Sequence, residues 1–216
     1  MRKLTHEEIV SRQVKRAGGP RLPLCVVLNN IRSLHNVGTI FRTADGAGVE
    51  KIWLCGITGY PPQGCIAKTA LGAQDHVPWE YREDILGLIK ELKNKGYQIV
   101  LLEQMQGSTS HDAFKAKSRL CLVVGNEVDG IAESLSSLSD AAIEIEMDGI
   151  KNSLNVAVAF GIAVYQLRGQ LKNKPVSNPF TQKFLQKKEA ARRIKGNEDQ
   201  SQECRSQKTI AQQKGD

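Results

Sequence analysis

Four short apolar runs punctuate the chain: LCVVL (24–28), KIWLCGI (51–57), YQIVLLE (97–103) and RLCLVVG (119–125). None alternates apolar with polar, as a strand with one wet face does, so they predict strands buried on both sides. Between the runs the period changes. Val37, Ile40, Phe41 and Ala44 fall at i, i+3, i+4 and i+7, one apolar helical face, with Asn36 placed to cap the start and Gly46 and Gly48 to stop it. Ile85, Leu88, Ile89 and Leu92 mark a second helix over 83–95, closed by Gly96, and 131–138 a short third one. AAIEIEM (141–147) alternates apolar and acidic residues and predicts a half-exposed or edge strand. Residues 153–171 form a long apolar helical stretch in which alanine and glycine permit close packing. Strands alternating with helices predict an α/β fold, a mainly parallel sheet flanked by helices.

The ends of the chain have a different character. Residues 1–19 predict an amphipathic helix ended by Gly18-Gly19, after which Pro20 and Pro23 open the globular part. Beyond Leu171 the composition turns polar and basic. Asn178, Pro179 and Gly196 bracket a basic helix over about 179–195, and from Asn197 onward too few large apolar residues remain to order the chain. Three parts follow: a basic N-terminal extension (1–21), an α/β domain (22–171) and a basic C-terminal extension (172–216), partly helical and then disordered. Of the formal charge of +7, the N-terminal part carries +4 and the C-terminal part +6, leaving −3 on the domain between them. Basic ends on a mildly acidic body predict a polyanionic partner, RNA or DNA.

Other classes are disfavoured. No run approaches the ~20 apolar residues that span a bilayer, and the first nineteen residues lack the apolar segment of a signal peptide, so a cytoplasmic protein with no membrane contact is expected. Of five cysteines, Cys25, Cys55 and Cys121 sit inside strand-like runs and none forms a C-x-x-C pair. They predict small core residues in a reducing compartment, with no disulfide framework and no metal site. The long 153–171 stretch, apolar nearly all round through Val156, Ala157, Ala159, Phe160, Gly161, Ala163 and Val164, exceeds what one side of a sheet can cover and predicts a homodimer contact.

A parallel α/β sheet binds its ligand beyond the C-terminal ends of its strands. Three loops at those positions are rich in Asn, Gly and Ser: NNIRSLHNVG after the first strand, GNEVDG after the fourth and DGIKNSLN after the fifth. The common nucleotide loops, G-x-G-x-x-G and G-x-x-x-x-G-K-[ST], are absent, as is a G-x-S-x-G elbow. From the residues alone, Arg42 reads either as a surface arginine paired with Asp45 or as part of a catalytic corner with Asn36.

The three loops together resemble the signature motifs of the SpoU/TrmH-type RNA methyltransferases of the SPOUT superfamily: N-x-G-x-x-x-R in NVGTIFR, G-N-E-x-x-G in GNEVDG and S-L-N-V-A-V-A in SLNVAVAFGIA. The resemblance covers roughly 22–171. It implies a C-terminal deep trefoil knot, S-adenosyl-L-methionine as methyl donor, a homodimer, and methylation of a ribose 2′-hydroxyl of RNA. Carried onto this chain, it implies catalytic roles for Asn36, Arg42, Glu127, Ser153 and Asn155, and a donor pocket lined by the backbone of Gly125, Ile145 and Leu154. The short basic ends favour transfer RNA over ribosomal RNA as substrate. A ribosomal-RNA enzyme and a silent RNA-binding protein of the same fold are the alternatives.

The chemistry places a demand on such a site. A ribose hydroxyl is a poor nucleophile, so alignment has to supply much of the barrier lowering, up to roughly 7–11 kcal/mol. A base adds about 10²–10⁴-fold. A guanidinium keeps its proton to above about pH 12. Arg42 therefore either gives up a proton in a desolvated, phosphate-coupled setting, or clamps a phosphate and steadies the developing alkoxide while another group takes the proton.

Overall fold

A computed structural model describes residues 1–17, 19–117 and 119–172. The basic helix expected over 179–195 and the disorder expected beyond it fall outside the described residues.

Among the described residues, seven strands form one sheet: β1 (Leu24–Asn29), β2 (Lys51–Cys55), β3 (Trp79–Arg82), β4 (Gln98–Leu102), β5 (Thr109–Ser110), β6 (Leu120–Val124) and β7 (Ala141–Glu144). Their order is β3-β2-β1-β6-β4-β7-β5, and every pair is parallel. The helices are α1 (His6–Ala17), α2 (Leu34–Ala47), α3 (Gly64–Ala70), α4 (Ile85–Asn94), α5 (Glu133–Ser136) and α6 (Val156–Leu171).

The unbroken apolar runs have the cause their pattern predicts. Leu24, Val26 and Leu28 of β1, with Ile52, Leu54, Leu120, Leu122 and Val124, bury one sheet face in a core shared with α2, α3 and α6. The alternate residues, Val27, Trp53, Ile99, Leu101 and Val123 among them, are buried on the opposite face, and α4 adds its own buried Leu88, Ile89 and Leu92. Cys25, Cys55 and Cys121 are buried free thiols, whereas Cys65 on α3 is exposed.

Three expectations are corrected. The alternating stretch 141–147 is half-buried, as its pattern predicts, but it is a strand only as far as Glu144, and it lies between β4 and β5, one strand in from the edge. Its neighbours set that limit: β4 pairs with it up to Ile143, and β5 contributes only Thr109 and Ser110. The long C-terminal helix begins at Val156, which leaves 145–155 as an irregular segment. Finally, α2 starts at Leu34 with Ser33 as its cap, so Asn36 stands in the first turn. The elements α3, β3 and β5 carry no clear period. α3 buries only Ile66 and Ala70, and WEYR is half-buried.

Packing of α2 on α3 explains the glycine of NVGTIFR. A Cβ at Gly38 would collide with the Ile66 carbonyl and the Thr69 hydroxyl. Thr69 Oγ1 in turn donates to the carbonyl of His35 on α2 at 3.1 Å. Because the strands are parallel, the turns that leave β1, β2, β4, β6 and β7 emerge at one edge of the sheet, and the helix contact fixes α2 at that edge. Gly38→Ala is expected to destabilise the fold by about 1–3 kcal/mol through overpacking, read as a lower midpoint in urea denaturation.

Candidate active site

At the C-terminal edge of the sheet three loops are joined by side-chain hydrogen bonds. The first follows β1 and enters α2. Its cap, Ser33, accepts from the N–H of Asn36 at 3.3 Å. With the capping role taken by Ser33, the Asn36 side chain points elsewhere: its Nδ2 donates to Glu127 Oε1 at 3.0 Å. Glu127 belongs to the second loop, after β6, and its carboxylate also accepts from the backbone N–H groups of Arg32 at 3.1 Å and Ser33 at 3.3 Å. Asn155 comes from the third loop. Its Nδ2 donates to Asn36 Oδ1 at 3.1 Å, while its own Oδ1 caps α6 by accepting from Ala157 N–H at 3.0 Å. Both ends of the Asn36 amide are thus specified, one by an acceptor and one by a donor.

The second loop is a tight fold-back. Asn126 and Gly130 exchange backbone hydrogen bonds of 3.1 Å each. A Cβ on Gly125 would meet the Gly130 carbonyl at 2.7 Å, and Gly130 has φ +65, so the two motif glycines close this loop. Asn126 does more than fill a position: its Oδ1 accepts from Val128 and Asp129 N–H at 2.7 and 3.0 Å, and its Nδ2 donates to the Asn30 carbonyl at 2.8 Å.

Beside this network lies a cavity of about 670 Å³, walled by the ends of β4 and β6, the 125–130 loop and the 144–156 segment. Gly125, Glu127, Ile145, Ser153, Leu154 and Asn155, all singled out in the sequence, line it. Asn36 joins through its hydrogen bonds to Glu127 and Asn155. Arg42 stands apart: it is exposed on α2 and does not line the cavity. The pairing with Asp45 does not form either, since Asp45 faces Arg21 at 3.9 Å.

Two residues passed over in the sequence organise the cavity from β4. Glu103 accepts from the N–H of Ile131 at 3.1 Å and from that of Gln104 at 3.0 Å. Gln104 Nε2 reaches the Asn152 carbonyl at 2.7 Å. The doublet therefore ties the second loop to the third. The available signal was a polar Glu-Gln pair directly after an apolar strand run, at the sheet edge where ligands bind.

Burial pushes the Glu127 carboxyl upward, but the hydrogen bonds from Arg32 N–H, the Asn36 amide and Ser33 N–H outweigh it and hold the group below its ordinary 4.5. It is a carboxylate at neutral pH, an acceptor that organises donors and not a proton source.

The family described as "SpoU rRNA Methylase family" matches residues 23–165. A Vibrio vulnificus protein named 23S rRNA (guanosine-2′-O-)-methyltransferase RlmB is 32% identical over 146 residues, 67% of this chain and 58% of its own length. A crystal structure of an A. aeolicus TrmH/SpoU tRNA modifying enzyme superposes with a TM-score of 0.70 at 28% identity, covering 83% of this chain and 95% of that one. An AdoMet-bound rRNA methyltransferase from Sinorhizobium meliloti gives 0.65 at 29% identity, covering 72% of this chain and 60% of that one. The chain thus spans about three fifths of the Vibrio and Sinorhizobium proteins.

The depressed Glu127 value sets a pH window. Its hydrogen bonds are complete above the unfolded value of 4.5 and fail as pH falls through the lower folded value. The amide resonances of Arg32 and Ser33 should titrate with a midpoint below 4.5, and Glu127→Ala should abolish that titration. A midpoint at or above 4.5 would show that these hydrogen bonds do not hold the carboxylate.

Proposed function

We propose that this chain, which belongs to the SpoU rRNA methylase family, transfers a methyl group from S-adenosyl-L-methionine to a ribose 2′-hydroxyl of RNA. The observation that carries the reading is the hydrogen-bonded triad Asn36–Glu127–Asn155 on the rim of the cavity. The donor fits the lining. Leu102, Val124, Met147 and Leu154 offer apolar wall for an aromatic base, and Glu103, Glu127 and Glu144 offer negative charge to a cationic sulfonium and ammonium. A volume of about 670 Å³ lies within the range of roughly 300–1,000 Å³ usual for small-ligand sites. When bound, S-adenosyl-methionine supplies an electrophilic methyl group.

The chain's own residues supply position. Glu127, held ionised, fixes the Asn36 amide, and Asn155 fixes it from the other side. One Nδ2 hydrogen of each asparagine is used in this network, and the second is available to orient a ribose oxygen. Ser153 and Leu154, in the segment before α6, stand beside them on the cavity wall. A nucleophile held in line in this way draws on the alignment contribution of up to roughly 7–11 kcal/mol.

Arg42 enters by another route. On α6, Ala157, Phe160, Ala163 and Val164 are buried within the chain, so the face available for a second copy is Val158, Ile162 and Tyr165, which are 51%, 38% and 50% exposed. Thr43, next to Arg42 in sequence, packs at Gly161, and Gly46, one turn on from Arg42, at the Tyr165 hydroxyl, so the part of α2 that carries Arg42 meets α6 beside this apolar stripe. The reading includes a homodimer joined over the stripe, in which Arg42 either takes the hydroxyl proton in a desolvated, phosphate-coupled setting, or clamps phosphate and steadies the developing alkoxide while another group takes the proton. It also includes the trefoil knot that the likeness to the SpoU/TrmH-type enzymes implies.

Transfer RNA is the preferred substrate, on the strength of the likeness that runs along 95% of the A. aeolicus tRNA modifying enzyme. Action in the cytoplasm completes the reading, in keeping with the buried free thiols of Cys25, Cys55 and Cys121.

The test is methyl transfer from labelled S-adenosyl-methionine to RNA, with alkaline digestion to reveal a 2′-O-methylated dinucleotide. Arg42→Ala should lower turnover by 10²-fold or more, in the range of a catalytic group, while calorimetric affinity for the donor stays within about three-fold, since Arg42 is outside the cavity. Arg42→Lys should not restore turnover, because an ammonium cannot reproduce the planar fork. Donor affinity that collapses together with turnover would make Arg42 structural.

A further inference from the structure

The loop that follows β2, GITGYPPQ (56–63), carries an exposed aromatic ring at the same sheet edge as the candidate active site. Tyr60 is 45% exposed. Its ring packs with Trp79, stacked at a centroid distance of 6.3 Å, and with Tyr81, tilted at 5.0 Å. Both supporting rings are themselves packed against the core, and the Tyr81 hydroxyl donates to the Gly56 carbonyl at 2.9 Å. Tyr60 is therefore a ring held in place by two others while nearly half of the residue stays exposed. Mere burial of apolar surface does not account for it, since nearly half of the residue stays wet.

The loop is also tied to the catalytic corner. Ile57 N–H donates to Asn30 Oδ1 at 3.0 Å, and Ile31 N–H donates to the hydroxyl of the buried Thr58 at 3.0 Å. Gly59 lies so close to Leu34, the first residue of α2, that a Cβ would collide with it. Leu34 is two residues before Asn36. The Asn30 carbonyl, in turn, holds Asn126 of the second loop. Exposed cationic side chains lie on the adjoining segments: Arg32 follows Ile31, which bonds Thr58 of the ring's loop, and Lys68 is on α3, the helix that this loop leads into. A preorganised, half-exposed aromatic ring on a loop fixed to the corner that would hold a ribose, with cations on the adjoining segments, matches how single-stranded RNA is gripped: bases stack on rings while cations take phosphates.

We propose that Tyr60 is a stacking platform for an unpaired base of the RNA substrate, at or next to the nucleotide whose ribose is methylated. The proposal rests on the RNA-methylation reading above and adds to it that the target lies in a single-stranded segment, a loop or an end, whose base can be splayed onto the ring. Because the ring is already ordered by Trp79 and Tyr81, binding need not pay to immobilise it.

The experiment compares full-length wild type, Tyr60→Phe and Tyr60→Ala in methyl transfer to total RNA from cells lacking the gene, with calorimetric titration of S-adenosyl-homocysteine and a gel shift on the same RNA. Tyr60→Ala should raise KM for RNA by about 5- to 150-fold, the range that one base–aromatic stack is worth, with homocysteine-analogue affinity within about three-fold. Tyr60→Phe, which keeps the ring, should stay within about three-fold of wild type. Unchanged KM in the alanine variant overturns the platform. So does an equal loss in both variants, which would assign the effect to the hydroxyl, or loss of cofactor-product binding or of oligomeric state in the alanine variant, which would make Tyr60 structural. If wild type transfers no methyl group while Tyr60→Ala still weakens the gel shift, the platform stands and the methylation reading falls.

Discussion

A single carboxylate, Glu127, accepts from the backbone of the first loop and from the side chain of Asn36, and through Asn36 it reaches Asn155 at the cap of α6. These contacts make one unit of three loops that lie some 30 and 90 residues apart in sequence. Without a shared acceptor at this point, the N–H groups of Arg32 and Ser33 would turn to water and the Asn36 amide would be free to rotate. The parallel sheet brings the loops to one edge. The carboxylate decides how they meet there.

The rest of the fold serves that meeting. Gly38 lets α3 approach α2 closely enough to hold the helix whose first turn carries Asn36. Gly125 and Gly130 let the second loop fold back so that Glu127 faces the first. Glu103 and Gln104 then fasten the second loop to the third from the end of β4. Several motif positions that invite a chemical role are thus occupied for packing or loop closure, while the hydrogen-bonding groups they position line the cavity.

How much of this was legible in the sequence differs by element. The buried strands and the α2 face of Val37, Ile40, Phe41 and Ala44 announced themselves because burial imposes a strict apolar pattern. α3 and β3 did not, since a seven-residue helix with two buried positions and a half-wet strand leave no period to read. The Asn36 cap was misplaced because Ser33 and Asn36 are both good capping residues, and only the tertiary demand of Glu127 and Asn155 on the Asn36 side chain separates them. Likewise, alternation in 141–147 could not reveal that the neighbouring strand offers two residues to pair with. The candidate site residues were visible as three loops rich in Asn and Gly, Asn126 among them; the work of Asn126, Glu103 and Gln104 was not, because it is to bond backbone groups of other loops, and no spacing rule encodes that.

If the three loops act as one unit, Asn36 and Asn155 are not independent. A double-mutant cycle tests this: the efficiency of methyl transfer to RNA is measured for Asn36→Ala, Asn155→Ala and both together. The account predicts strong coupling, with the double variant falling no more than about two-fold below the weaker single one, an interaction well above the additivity error of about 0.3–0.5 kcal/mol. Losses that simply multiply would show that the hydrogen bond between the two side chains does not build the site.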